Sequence, residues 1–170
     1  DQGTIRAVQL DDRASLQALY GIVGTTDAAQ AGQQVLASGA TGTARWAAIL
    51  AYEGAGADPS VLAPYLHDSD LSTRAAAAAG AVAMGDKDAF PVLIDLLGHD
   101  EWALGSSPPE ELWQIADQAL VRATAVADFG PPLDGSIEQA RAAQTKWRTW
   151  WKHNGASLEY DPTHQLWSAK

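Results

Sequence analysis

Residues 61–70, VLAPYLHDSD, and residues 92–101, VLIDLLGHDE, are one segment written twice at a spacing of 31 positions. Behind these copies, Arg74 and Arg45 repeat at nearly the same distance. Self-similarity with a period of about 20–50 residues is typical of stacked repeats, in which the core forms between neighbouring units. The sequence therefore predicts a repeat protein that presents a long shared surface to a partner.

Apolar periodicity and chain breakers predict eight helices in four antiparallel pairs. The predicted ranges are 12–22, 27–38, 43–54, 59–67, 71–84, 88–98, 110–127 and 137–153. In the sixth helix one apolar stripe is formed by Phe90, Leu93, Ile94 and Leu97. We expect these leucines to be buried together with Leu62 and Leu66 of the earlier copy. One repeat domain should cover 1–155, and an extended tail should follow at 156–170.

Residues 71–97 resemble a known family. An Arg followed by small residues and a Gly, then an acidic turn and a Leu-rich second helix, is similar to the short bacterial HEAT repeat of the phycobilisome-lyase type. The similarity is best over 41–101 and weak over 1–40. A Phe-Gly turn at Phe129-Gly130 before a tryptophan-ended helix is also similar to the closing unit of bacterial HEAT-repeat proteins. The resemblance implies an all-α, right-handed α-solenoid of about four antiparallel helical hairpins that binds proteins and needs no cofactor.

Charge is distributed unevenly along the chain. Residues 1–140 hold 19 Asp/Glu and 6 Lys/Arg, a net charge of −13, whereas residues 141–170 hold 2 and 5, a net charge of +3. An acidic body repels phosphate backbones, so nucleic acid is not an expected partner. No apolar run approaches the roughly 20 residues that span a bilayer. The expected partner is a protein or peptide, and a basic one fits the charge.

Compartment is left open by composition, because a chain without cysteine fits reducing and oxidising environments alike. The chain begins Asp1-Gln2-Gly3 without Met, so we expect a processed form or a trimmed piece. If the missing part was a signal peptide, the protein is periplasmic or extracellular, and otherwise it is cytoplasmic.

Catalytic and metal sites find little support in the residues. Cysteine and the Gly-x-Ser-x-Gly turn are both missing from the sequence, and Glu110-Glu111 suits the positive end of a helix. His67-Asp68 and His99-Asp100 are the imidazoles beside carboxylates, but neighbours within one loop diverge more often than they converge on a metal. We predict no enzyme activity, no metal and no cofactor.

Six residues are predicted to have structural roles. In the HEAT family an Arg near the start of a first helix pairs with an Asp that joins one repeat to the next. The resemblance therefore implies ion pairs from Arg45 and Arg74 to loop acids such as Asp68 and Asp70. Near the C-terminus, Trp147, Trp150 and Trp151 share one helix face, and we expect Trp147 and Trp151 to cap the last apolar layer.

Seven residues are candidates for binding a protein. Trp46, Trp102 and Trp113 interrupt a small-residue pattern beside charges or in a loop, as interface anchors often do, although burial under a neighbouring loop is the alternative. Second helices of HEAT pairs usually line the concave face, so the resemblance adds Pro64, His67, Asp95 and His99, unless these are simply solvated positions. Rival functions are a pigment-lyase-like enzyme or accessory factor and an extracellular carbohydrate-binding module that uses exposed Trp and Tyr.

Overall fold

The computed structural model describes residues 28–53, 58–104, 109–125, 129–132 and 134–170. The chain divides into two compact units, residues 1–57 and residues 58–170. The described residues are mostly helical, and one small two-stranded sheet lies near the C-terminus. The first predicted helix, 12–22, lies outside them. None of the helices in these ranges combines the length and the apolar character needed to cross a bilayer.

Two helices make up the described part of the first unit. They are α1, Ala28–Ala37, and α2, Gly42–Glu53, close to the predicted 27–38 and 43–54. The two helices pack on each other at Gly32, where an added Cβ would lie 2.7 Å from the carbonyl oxygen of Ala48. Only a residue without a side chain allows α1 to approach the α2 backbone so closely.

The first copy of the repeated segment differs from its prediction. Instead of one helix over 59–67, the second unit begins with two 3-10 helices, Pro59–Val61 and Ala63–His67. Pro64 explains the difference, because a proline inside an α-helix lacks the donor and clashes with the preceding turn. Just before the second copy, Pro91 occupies the first turn of α4, Ala89–Leu96, where its missing N–H has no helical partner to lose.

Helix α3, Leu71–Ala83, lies between these two copies and packs against both the second 3-10 helix and α4. Its start is capped by Asp70, whose carboxylate accepts a hydrogen bond of 3.0 Å from the Thr73 N–H. The predicted burial of the repeated apolar positions is confirmed. Each of them is at most 3% exposed: Leu62, Leu66, Phe90, Leu93, Ile94 and Leu97.

Helices α5, Leu112–Thr124, and α6, Ile137–Asn154, follow, and a short 3-10 helix, Gly155–Ser157, continues from the end of α6. Helix α6 agrees with the predicted 137–153, and its start is a capping box in which Ser136 and Gln139 bond each other's backbone N–H. Helix α5 begins two residues later than predicted. Residues 110–112 pair with 101–103 through two backbone hydrogen bonds of 2.9 Å, so the chain is extended before the helix begins.

The all-α prediction is wrong in one element. After Asn154 the chain forms a β-hairpin of β1, Leu158–Asp161, and β2, Leu166–Ala169, with Tyr160 opposite Trp167. Aromatic side chains such as Tyr160 and Trp167 favour strands. Each strand is only four residues long, however. Its formation depends on tertiary contacts, because an isolated two-stranded hairpin is marginal in water.

Two aromatic side chains attach this hairpin to the C-terminal end of α3. The indole N–H of Trp167 donates a hydrogen bond of 2.9 Å to the carbonyl of Val82, and the Tyr160 hydroxyl donates to the carbonyl of Ala83. The last four carbonyls of an α-helix lack helical partners. The hairpin therefore supplies donors where α3 needs them.

We expect Leu93→Ala to lower the free energy of unfolding by about 2–5 kcal/mol, because a fully buried side chain leaves a cavity. Leu104→Ala is the matched control, since Leu104 is 49% exposed and its removal should change stability by under about 0.5 kcal/mol. Denaturant unfolding of both variants checks this. Equal losses would contradict the assigned burial.

We also expect Gly85→Ala to destabilise the protein more than Gly39→Ala. Both glycines have positive φ, 98° and 76°, so alanine should cost about 1–2 kcal/mol of backbone strain at either position. Only at Gly85 would the added Cβ also meet the Tyr160 ring, 2.7 Å away, whereas no atom lies within 4 Å at Gly39. In a Tyr160→Ala background the excess should disappear from the measured unfolding free energy.

Candidate functional site

The paired leucines of the two copies are buried at equivalent positions. Leu62 and Leu93 are both 0% exposed, and the next pair of leucines is also buried. Between these buried positions, Pro64 and Asp95 occupy equivalent places and are both exposed. Two of the predicted binding residues therefore project from the same point of their respective copies.

The other two predicted residues of this set are less alike. His67 is exposed at the end of the second 3-10 helix, and His99 is half-buried just after α4. The ring of His99 is paired with Glu101, Nδ1 to Oε2 being 3.2 Å, rather than with its neighbour Asp100. The pKa of Glu101 is lowered, first by its own backbone N–H and further by His99. This carboxylate is therefore ionised at neutral pH.

Asp95 lies where α4 meets α6. Its carboxylate is 3.6 Å from the Arg148 guanidinium, and the side chains of Asp95 and Arg148 are 60% and 59% exposed. From the same helix, the Gln144 amide donates hydrogen bonds of 2.9 Å to the carbonyls of Ile94 and Asp95. Exposed ion pairs contribute little stability. The buried contacts between α4 and α6 and the hydrogen bonds of the Gln144 amide therefore hold the two helices together. Sequence alone had no signal for Gln144.

Both predicted structural arginines donate hydrogen bonds to backbone carbonyls. Arg45 donates from Nε to the carbonyl of Ala40 at 2.6 Å. Arg74 donates from Nε and Nη2 to the carbonyl of Asp68, at 3.0 and 2.7 Å. Each arginine thus fastens the loop before its own helix. Asp70 has the separate role of capping α3.

An aromatic cluster surrounds the C-terminal half of α6. Trp147 is fully buried and meets Phe129 edge to face at a centroid distance of 4.8 Å. Trp151 is half-buried and stacks on Phe90 at 5.2 Å, and the Phe90 ring also meets Trp167 of the hairpin edge-on at 5.5 Å. Such contacts add to the gain from burying the rings. The sequence predicted this cluster from the tryptophans of α6 alone. Phe90 of α4 and Trp167 of the hairpin also belong to it.

Of the three tryptophans predicted as anchors, Trp113 is corrected. It is only 1% exposed, in the first turn of α5. Its indole N–H donates to the Glu111 carboxylate, so the one polar atom of the ring is satisfied and the rest packs in the core. A charged neighbour in the sequence was therefore a misleading sign of exposure. Trp46 is half-buried in α2, and Trp102 is 62% exposed.

Trp102 lies in a segment with defined hydrogen bonding. It is paired with Glu111 in an isolated antiparallel bridge, and the next residue, Ala103, donates to the Glu110 carbonyl at 2.9 Å. One residue further on, the Leu104 N–H donates to the Ser72 hydroxyl at 2.9 Å. Leu104 is itself 49% exposed, and the sequence interpretation missed it. Two large apolar side chains are thus displayed two residues apart on ordered backbone.

In the described ranges, no group of three or more His, Cys, Asp or Glu side chains could hold a metal ion. Comparison with protein-family models, with curated proteins and with solved structures finds no match to the chain. The candidate site is therefore defined by exposure and charge alone. It comprises the repeated outward positions and the segment around Trp102.

Acrylamide quenching of tryptophan fluorescence tests these exposures. We expect Trp102→Phe to remove the most readily quenched part of the emission, because this ring is the most exposed large apolar side chain described. Trp113→Phe should leave that part unchanged, since the replaced ring is buried. An easily quenched component that survives Trp102→Phe and disappears with Trp113→Phe would reverse the assignment.

Proposed function

We propose that this chain is a non-catalytic scaffold that binds a protein or peptide, built from HEAT-like helical repeats. One observation carries the proposal: the copies at 61–70 and 92–101, similar in sequence, both bury their paired leucines and both expose one position between them. A segment that buries the same leucines twice and exposes the same intervening position twice behaves as a repeat unit. In the full proposal the units form a right-handed α-solenoid of about four antiparallel helical hairpins.

A repeat architecture favours binding because its outward positions recur at regular intervals. Pro64 and Asp95 are exposed at equivalent places, with His67 and His99 three and four residues after them. An extended partner can contact several such positions at once, each by a similar interaction. The proposed binding groove consists of these four residues, Pro64, His67, Asp95 and His99.

Charge indicates the kind of partner. The net charge of residues 1–140 is −13, from 19 acidic and 6 basic residues, and this acidic body favours a positively charged partner, although Arg148 lies 3.6 Å from the groove residue Asp95. Electrostatic complementarity mainly speeds association and selects among partners, and salt screens it over about 10 Å at 0.1 M. A basic protein or peptide is the proposed ligand.

Closure of the C-terminal end also supports a repeat scaffold. Terminal repeats have no neighbour on one side and need a cover that keeps the last apolar layer from water. The aromatic cluster of Trp147, Trp151 and Phe90, overlaid by the hairpin residue Trp167, has this character. The outer face of α6 is polar and basic, with Arg141, Arg148 and Lys152 exposed.

Carbohydrate binding remains a second candidate because of one observation, the 62% exposure of Trp102. A flat ring with an apolar face and a polar N–H can stack on a sugar as well as on a side chain. Titration with oligosaccharides would shift the fluorescence of Trp102 if this candidate were correct.

Asp95→Lys should weaken the capture of a partner from the native extract, because it reverses charge in the proposed groove. Asp134→Lys is the matched control, an equal change of net charge at an exposed acid outside the groove. We expect wild type and the control to retain the partner at low salt and to lose much of it at high salt. A partner held equally by both variants at both salt concentrations would contradict the groove and its charge.

A further inference from the structure

We propose that Trp102 and Leu104 form a docking site for a linear segment that carries a bulky apolar side chain flanked by Lys or Arg. This apolar pair is distinct from the groove of the preceding section. The inference rests on the proposed function, since it names the chemistry of a peptide partner and a second place where the partner is held.

Exposure of the pair is the first observation. In the ranges that the structure describes, the exposed large hydrophobic residues are Leu50, Trp102 and Leu104, and two of these three lie within three residues of each other, at 102–104. Scattered single apolar residues on a surface are ordinary, whereas apolar side chains displayed together mark contact sites. Trp is also the residue type most enriched among the side chains that dominate binding energy.

Rigidity of the backbone is the second observation. The backbone is bonded on both sides of Trp102: Leu112 N–H donates to the Glu101 carbonyl at 2.9 Å, and Ala103 N–H donates to the Glu110 carbonyl at 2.9 Å. The bond from Leu104 N–H to Ser72 ties the other end to the start of α3. A partner would therefore not have to order this loop, which is a large part of the entropy cost of binding.

Charge around the pair is the third observation, and it specifies the partner. The stretch 99–104 and the stretch 110–112 that pairs with it contain four Asp/Glu and no Lys or Arg. Asp100 and Glu101, directly before Trp102, are both exposed. A cation approaching here gains from these carboxylates, and a Lys or Arg placed over the indole face gains a cation–π contact as well. An acidic segment would be repelled from the same place.

The two features together exclude simpler partners. A purely apolar segment would use the ring but not the carboxylates, and a purely basic one would leave the Trp102 and Leu104 side chains in water. Only a segment with both chemistries matches the surface. Such a segment should show affinity that falls with salt but does not vanish, since the apolar contact is insensitive to screening.

Selection from a random peptide library on the immobilised full chain tests the inference without a known ligand. We expect enriched peptides to combine Lys or Arg with an aromatic or large aliphatic residue. Their dissociation constants should rise about tenfold or more in Trp102→Ala, as for a central anchor residue, and less in Leu104→Ala. Leu50→Ala, at an exposed leucine of the first unit, is the matched control and should bind as wild type does.

Different outcomes separate this inference from the proposed function. Enriched peptides that bind Trp102→Ala normally but lose affinity for Asp95→Lys would overturn the docking site and leave the groove standing. Peptides without basic residues would also overturn it, and a library that yields no binder would count against both proposals. Concentration-dependent dimerisation of wild type, abolished by Trp102→Ala, would make the occupant a second copy and refute a peptide partner. Thermal unfolding of each variant confirms that it is folded.

Discussion

Burial of helix α3 on several sides is the constraint on which the second unit depends. Ala75, Ala77, Ala78 and Ala81 are all 0% exposed, so neighbouring elements approach the α3 backbone from more than one direction. Alanine permits this because it combines a small side chain with the highest helix propensity. A helix so enclosed needs both ends satisfied. Asp70 supplies the cap at its start, and Tyr160 and Trp167 supply donors at its end.

Sequence predicted the helices well where local and tertiary preferences agree. Helix α3, Leu71–Ala83, agrees with the predicted 71–84, and the stripe of α4 follows from the spacing of Phe90, Leu93, Ile94 and Leu97. It failed where a distant contact decides the structure. The hairpin of 158–169 is held by carbonyls of α3 some 77 and 85 residues earlier in the chain, which no local pattern reveals. Pro64 is the intermediate case, because its effect on a helix is local, whereas the prediction of one helix over 59–67 did not include it.

The candidate site shows the same division. Exposure of Pro64 and Asp95 follows from their position off the buried leucines, so periodicity was sufficient to predict it. Trp102 and Trp113 looked equivalent in sequence, since each stands beside two charged or polar neighbours. They differ because the bridge between Trp102 and Glu111 directs the extended residues outward, whereas Trp113 begins a helix that faces the core. The exposure of a tryptophan ring therefore depends less on its neighbours in sequence than on the helix or strand in which the tryptophan lies.

Salt separates the two roles that charge plays in this protein. The internal pair of Asp95 and Arg148 is about 60% exposed, with side chains 3.6 Å apart, and exposed pairs of this kind contribute little to stability. Screening of this pair by added salt should therefore change the unfolding free energy little. The attraction between the acidic surface and a basic partner acts over longer distances in water and is screened at ordinary ionic strength. Loss of partner binding at a salt concentration that leaves stability intact thus reports on recognition and not on folding.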